Sequence, residues 1–173
     1  TEAGTLPESL VATTSFRPLD VPGFREGWFS IQDESAMGAA RMLSPQPGGF
    51  VLDVCSAPGG KTTHLAELMQ NTGRIVATDS DGERLRLVTE SAERLGHSCI
   101  ETQAVSPLGA DLPEGPFDGI LVDVPGSNTG VLGKRPEARW RITAETVDEL
   151  VPTQTRLLSQ ALDRVRPGGA VVY

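Results

Sequence analysis

The chain alternates between short apolar runs and longer stretches in which apolar residues return every three or four positions. FVLDV at 50–54, RIVATD at 74–79 and FDGILVD at 117–123 are compact apolar runs bounded by turn residues, which predicts buried strands. A weaker strand is predicted over 98–104 (SCIETQA), and a fifth begins at GGAVVY, 168–173. Between them lie helical patterns. Ala36, Ala39, Ala40 and Leu43 share one face of a short helix over 33–43, which Pro45, Pro47, Gly48 and Gly49 break. Leu65, Leu68 and Met69 face inward from a helix over 61–71. Leu85, Val88, Ala92 and Leu95 do the same over 82–95, with Gly96 as its terminator. A last helical stretch over 144–165 contains Pro152, where a kink or a restart is expected.

Strands alternating with helices imply βαβ units, a mostly parallel sheet and a doubly wound α/β fold. Residues 1–30, with Pro7, Pro18 and Pro22, read as an extended arm ahead of a single domain over 31–173. The fifth strand starts at the last few residues with nothing after it to complete the sheet, so a domain truncated there is expected. At 173 residues, 38% hydrophobic and 22% charged, the composition is that of an ordinary globular domain. No apolar run approaches the roughly 18 residues of a membrane span, and the N-terminus lacks a signal-peptide pattern. Cys55 and Cys99 form no metal or disulfide framework, so a cytoplasmic monomer without metal is expected.

Candidate chemistry gathers where ligands bind in open parallel sheets, beyond the carboxyl ends of the strands. The turn Cys55, Ser56, Ala57, Pro58, Gly59, Gly60 and Lys61 joins a strand to a helix N-terminus. Its glycines let backbone approach a ligand, and the first helical amides favour an anion. A P-loop would need glycine where Cys55 stands, and no G-x-G-x-x-G is present. Asp79 ends the next strand at the spacing from which an acid accepts hydrogen bonds from ribose hydroxyls. A ribose, a carboxylate and no required phosphate describe S-adenosylmethionine. Asp123 ends the fourth strand over the same rim, beside the turn at Pro125 and Gly126. Farther on, Lys134, Arg135, Arg139 and Arg141 surround Trp140, a pattern suited to backbone contact and base stacking on single-stranded RNA; a solvated loop with one packed Trp is the alternative. Against this stands the net charge of −8, which argues that the chain alone does not grip RNA tightly.

FVLDVCSAPGGKT, with PGFREGWFSIQDESAMGAARML upstream and FDGILVDVPGSNTGVLGKRPEARW downstream, resembles the Sun/RsmB (Fmu) family of RNA cytosine 5-methyltransferases. The Gln-Asp-Glu-Ser segment and the cofactor turn carry most of that likeness. The resemblance implies that Cys55–Lys61 wraps the methionine end of S-adenosylmethionine, that Asp79 holds its ribose, and that Asp123 sits beside cofactor and cytosine. It also implies a cysteine that adds to the base so that its neighbouring carbon accepts the methyl group.

Three departures qualify the likeness. The family's nucleophile lies in a Thr-Cys-Ser segment expected beyond Tyr173, so neither Cys55 nor Cys99 takes that role. Its product-release cysteine is replaced by Gly126, and an acid that binds the adenine amino group is replaced by Val105. The expected function is therefore methylation of cytosine in ribosomal or transfer RNA. The rival is a non-catalytic binding module of the same fold.

Overall fold

Side chains on a strand alternate between faces, so strands apolar at nearly every position need cover on both sides. The computed structural model describes residues 1–127, 136–140 and 142–173 and meets that requirement. Near the N-terminus, β1 (Glu2–Ala3) and β2 (Leu10–Val11) form a small antiparallel pair. Five further strands follow: β3 (Phe50–Val54), β4 (Arg74–Asp79), β5 (Ile100–Ala104), β6 (Phe117–Val122) and β7 (Val165–Val172). They make one parallel sheet in the order β5-β4-β3-β6-β7. The order reverses between β3 and β6, which is where a doubly wound sheet opens a crevice for a ligand.

Three helices, α1 (Glu34–Leu43), α2 (Gly60–Leu68) and α3 (Gly82–Leu95), cover one face. Ala40, Leu43, Leu65, Ala66 and Met69 pack on Val51, Ile75 and Leu121, while Leu85 and Val88 pack on Ala77. On the other face α4 (Ala144–Leu162) sets Leu157 and Ala161 against Leu52, Val76, Phe117, Ile120 and Val122. Leu112, from the connection after β5, joins that cluster. Side-chain parity along β3 thus sends Val51 to the first layer and Leu52 and Val54 to the second.

Most predicted elements fall within a residue or two of their expected places, and the differences have local causes. The helix expected over 61–71 is shorter, ending before Gln70 and Asn71, which both have positive φ. The weak strand begins at Ile100, and β7 begins at Val165. α4 runs on through Pro152 without restarting there. The proline lies on an exposed stretch, where the carbonyl it leaves without a donor can reach water. Asp81 caps α3 by accepting from the amides of Glu83 and Arg84, and Gly96 ends it in the left-handed region.

The arm is not simply extended. Glu8 fastens it to the domain, accepting from Arg41 Nη1 at 2.6 Å and pairing with His64 Nε2 at 2.9 Å. Glu34 Oε1 accepts the amides of Thr5 and Leu6. His64, which reads in sequence as an ordinary helix-face residue, is consequently buried. Further along, Arg94 Nη1 donates to the carbonyls of Phe24 at 2.7 Å and Phe29 at 3.0 Å, with its guanidinium 4.1 Å over the Phe24 ring.

Leu65 is fully buried between α2 and the sheet, whereas Leu10 is 73% exposed. Leu65→Ala is expected to cost about 2–5 kcal/mol of unfolding free energy, and Leu10→Ala to stay within about 0.5 kcal/mol of the parent, both by urea denaturation.

Candidate functional site

The last residues of β3 and β4 leave the sheet side by side, and their polar groups organise the turn between β3 and α2. Ser56 N donates to Thr78 O at 2.9 Å, which extends the strand pairing into the turn. The next residue is held on both sides: Ala57 N donates to Asp79 Oδ2 at 3.1 Å, and Ala57 O accepts from Arg84 Nη2 at 2.8 Å. A cis bond joins Ala57 to Pro58, and Gly59 then carries φ of +105°. A Cβ on Gly59 would lie 3.0 Å from the Val88 Cα, so backbone conformation and close packing both require glycine there. α2 begins at Gly60 with no side-chain cap and no acidic residue in its first turn. Its positive end is therefore left uncompensated beside the turn.

Asp79 is buried at the end of β4, and its other oxygen, Oδ1, accepts from Asp81 N at 3.0 Å. Val105, just beyond β5, donates its amide to the Asp79 carbonyl at 3.0 Å, which places it on the same rim. Asp123 follows β6, takes its place by donating its backbone N–H to Val54 O at 3.2 Å, and accepts from Lys61 Nζ at 2.7 Å. The predicted residues from Cys55 to Lys61, Asp79 and Asp123 are thus brought together at the strand-order reversal. Next to them Gly126 is exposed, and no atom of the described residues lies within 4 Å of a Cβ built on it.

Asp53 belongs to the site and was not singled out from sequence. It points from β3 toward α2, is fully buried, and accepts from Thr62 Oγ1 at 2.6 Å through Oδ2, while Oδ1 has no partner among the described residues. Burial pushes its pKa up to about 7; the Thr62 hydrogen bond opposes this, Asp123 adds to it, Lys61 opposes it and Asp79 adds again. An acid inside an otherwise apolar strand was the available signal. Burial, with Asp79, Asp53 and Asp123 nearby, likewise pushes the Cys55 thiol up to about 12, so Cys55 stays protonated and is a poor nucleophile. Cys99 is a buried free thiol at the sheet's far edge. Arg84 and Gln32 also reach the turn from outside the expected set; the Gln32 carboxamide lies within 4.0 Å of where a Gly60 Cβ would stand.

The basic stretch is described only in part. Arg139 Nε donates to Pro136 O, and its guanidinium lies 5.7 Å from the centre of the Trp140 ring, which is 82% exposed. Trp140 is therefore not the packed residue of the alternative reading. Lys134, Arg135 and Arg141 lie outside the described residues. Gln154 Nε2 donates to Pro125 O, tying the start of the preceding loop to α4. Among the described residues no group of three or more His, Cys, Asp or Glu could hold a metal, and no helix is long and apolar enough to cross a membrane.

The chain is similar to known proteins in sequence and in fold. The profile of the family described as 16S rRNA methyltransferase RsmB/F matches residues 40–173. The chain is 44% identical over 156 residues to the probable ribosomal RNA small subunit methyltransferase B of Synechocystis sp., covering 88% of this chain and 35% of that protein. It is 41% identical over 154 residues to ribosomal RNA small subunit methyltransferase B of Salmonella paratyphi B, covering 88% and 36%. The crystal structure of NSun6 from Pyrococcus horikoshii with SFG superposes with a TM-score of 0.79 at 32% identity, over 88% of this chain and 39% of that one. The chain spans about a third of the length of the curated relatives it matches.

The folded protein holds the Asp53 proton up to about pH 7, whereas an unfolded aspartate releases it near its ordinary 3.8. Between those limits the folded state binds more protons, so stability falls as pH rises through that window. Asp53→Asn keeps an acceptor for Thr62 and cannot ionise. Urea unfolding from pH 4 to 8 should show a shallower decline for the variant than for the parent, and equal slopes would place the titrating group elsewhere.

Proposed function

The chain belongs to the 16S rRNA methyltransferase RsmB/F family, and on that premise we propose that its intact protein methylates cytosine in RNA, with S-adenosylmethionine held by this domain. The observation that carries the reading is the convergence of the α2 turn, Asp79 and Asp123 at the one crevice the strand order creates. Ribosomal RNA is the substrate favoured by the relatives, whose names specify the small subunit. A solved neighbour that carries SFG, an S-adenosylmethionine analogue, supports the cofactor.

The residues present fit that cofactor. The uncapped start of α2 suits a carboxylate, and the glycine-lined turn permits close backbone approach. Asp79 keeps free lone pairs on both oxygens after serving two amides, enough to accept from ribose hydroxyls. Lys61 holds Asp123 in place at the rim, where its carboxylate would meet the cofactor and the base. When bound, the cofactor supplies an electrophilic methyl group. The protein's part within this chain is to fix the donor and exclude other orientations. Arg139 and the exposed Trp140 offer a cation and a stacking face to single-stranded RNA, with Lys134, Arg135 and Arg141 as further cations of the same stretch.

A second reading is a binding module that keeps the pocket without turnover. Two observations favour it: Gly126 supplies no thiol, and Val105 presents an aliphatic side chain at the rim.

Titration calorimetry of the full-length protein tests the pocket. Asp79→Asn should weaken S-adenosylmethionine about tenfold or more, and Val105→Asp should strengthen it by about tenfold, the worth of one hydrogen bond to a charged group. Normal binding by Asp79→Asn would remove Asp79 from the ribose.

Gly126 separates the two readings. With a cysteine nucleophile elsewhere in the full-length protein, RNA should accumulate as a methylated covalent adduct that survives denaturing electrophoresis. Gly126→Cys, whose Cβ meets no described residue within 4 Å, should convert that adduct into repeated turnover. Absence of both adduct and turnover supports the binding module. Free methylated RNA in excess over unaltered enzyme would show that another group performs release.

A further inference from the structure

Among the described residues, four buried side-chain polar atoms have neither a hydrogen-bond nor an ion-pair partner: Gln32 Nε2, Asp53 Oδ1, Ser56 Oγ and His64 Nδ1. Unpaired buried polar groups cost folding free energy, so a cluster of them implies a missing partner. Three of them surround the turn that leads into α2. Ser56 belongs to that turn and is 6% exposed, Asp53 lies beneath it and is fully buried, and Gln32 comes over it from the segment before α1. Gln32 places its carboxamide 3.9 to 4.0 Å from where a Gly60 Cβ would be, directly at the first residue of α2.

We propose that Gln32 is a cofactor-binding residue, its Nε2 donating with Ser56 Oγ and the first amides of α2 to the carboxylate of the amino-acid end of S-adenosylmethionine. The inference rests on the cofactor assignment made above and adds a residue to it. Its chemistry follows from the sign of the groups. Gln32 Nε2, the Ser56 hydroxyl and the uncapped helix start can all donate, with Asp53 Oδ1 below them as an unpartnered acceptor, and donors that outnumber that acceptor fit an anion. Lys61 is already engaged by Asp123 at 2.7 Å, so the nearest cation is committed elsewhere. Asp53 retains its proton up to about pH 7, which limits its repulsion of a carboxylate above it.

Gln32 is also held in place from both sides. Upstream, Arg94 fixes the carbonyls of Phe24 and Phe29; downstream, α1 starts at Glu34. The Gln-Asp-Glu-Ser segment thus has a chemical role at the site, beyond leading into a helix.

The test compares two probes on the full-length protein. S-adenosylhomocysteine carries the amino-acid end, and 5′-methylthioadenosine lacks it. Gln32→Met, similar in length but unable to donate, should weaken S-adenosylhomocysteine about tenfold and leave 5′-methylthioadenosine within about twofold. Gln32→Glu, which sets a negative charge against the carboxylate, should weaken the first probe further and again spare the second. Equal weakening of both probes would assign Gln32 a purely structural role, and unchanged binding of both would remove it from the site. If the unaltered protein binds neither probe, the cofactor assignment itself fails, and this proposal with it.

Discussion

The bond from Ala57 N to Asp79 Oδ2 joins the turn after β3 to the end of β4, and the form of the site depends on it. The turn that leaves β3 must reverse within a few residues and still deliver a helix onto the sheet. Cys55 takes positive φ, Gly59 takes φ of +105°, and the peptide between them needs an external anchor. Asp79 supplies that anchor from the neighbouring strand, while Arg84 holds the same residue's carbonyl from α3. Three elements therefore meet on one residue, Ala57, and the N-terminus of α2 is aimed as a consequence.

That geometry concentrates acids. Asp53, Asp79 and Asp123 stand around a turn whose opposing charges include Lys61 and Arg84, with the positive end of α2 beside them. The fully buried member, Asp53, relieves the crowding by holding its proton up to about pH 7, and the Cys55 thiol stays protonated for the same reason. The site is therefore less negative than its sequence implies. A less negative site opposes the approach of a carboxylate less.

The arm contributes to the same region from behind. Glu8 and Glu34 fasten its first residues to α1 and α2, and Arg94 fastens residues 24–29 to the end of α3. These are contacts between residues far apart in sequence. They turn a proline-rich lead-in into a layer that buries His64 and carries Gln32 to the start of α2.

Periodicity in the sequence determined the order of strands and helices, because a sheet buried on both faces demands apolar runs and a helix on a sheet demands one apolar stripe. The turn 55–61, Asp79 and Asp123 were legible as a candidate site because strand ends share one rim in any doubly wound sheet. The family likeness was legible in the same residues. Pro152 did not restart α4, since that depends on whether the carbonyl it deprives can meet water, and local sequence does not encode that exposure. The tertiary structure alone decided that Asp53 faces Thr62, that Lys61 is taken by Asp123, and that Gln32 lies over Gly60. Each of these pairings depends on how separate elements dock. Burial and charge at a site are set by neighbours in space, and a pattern along the chain reports only neighbours in sequence.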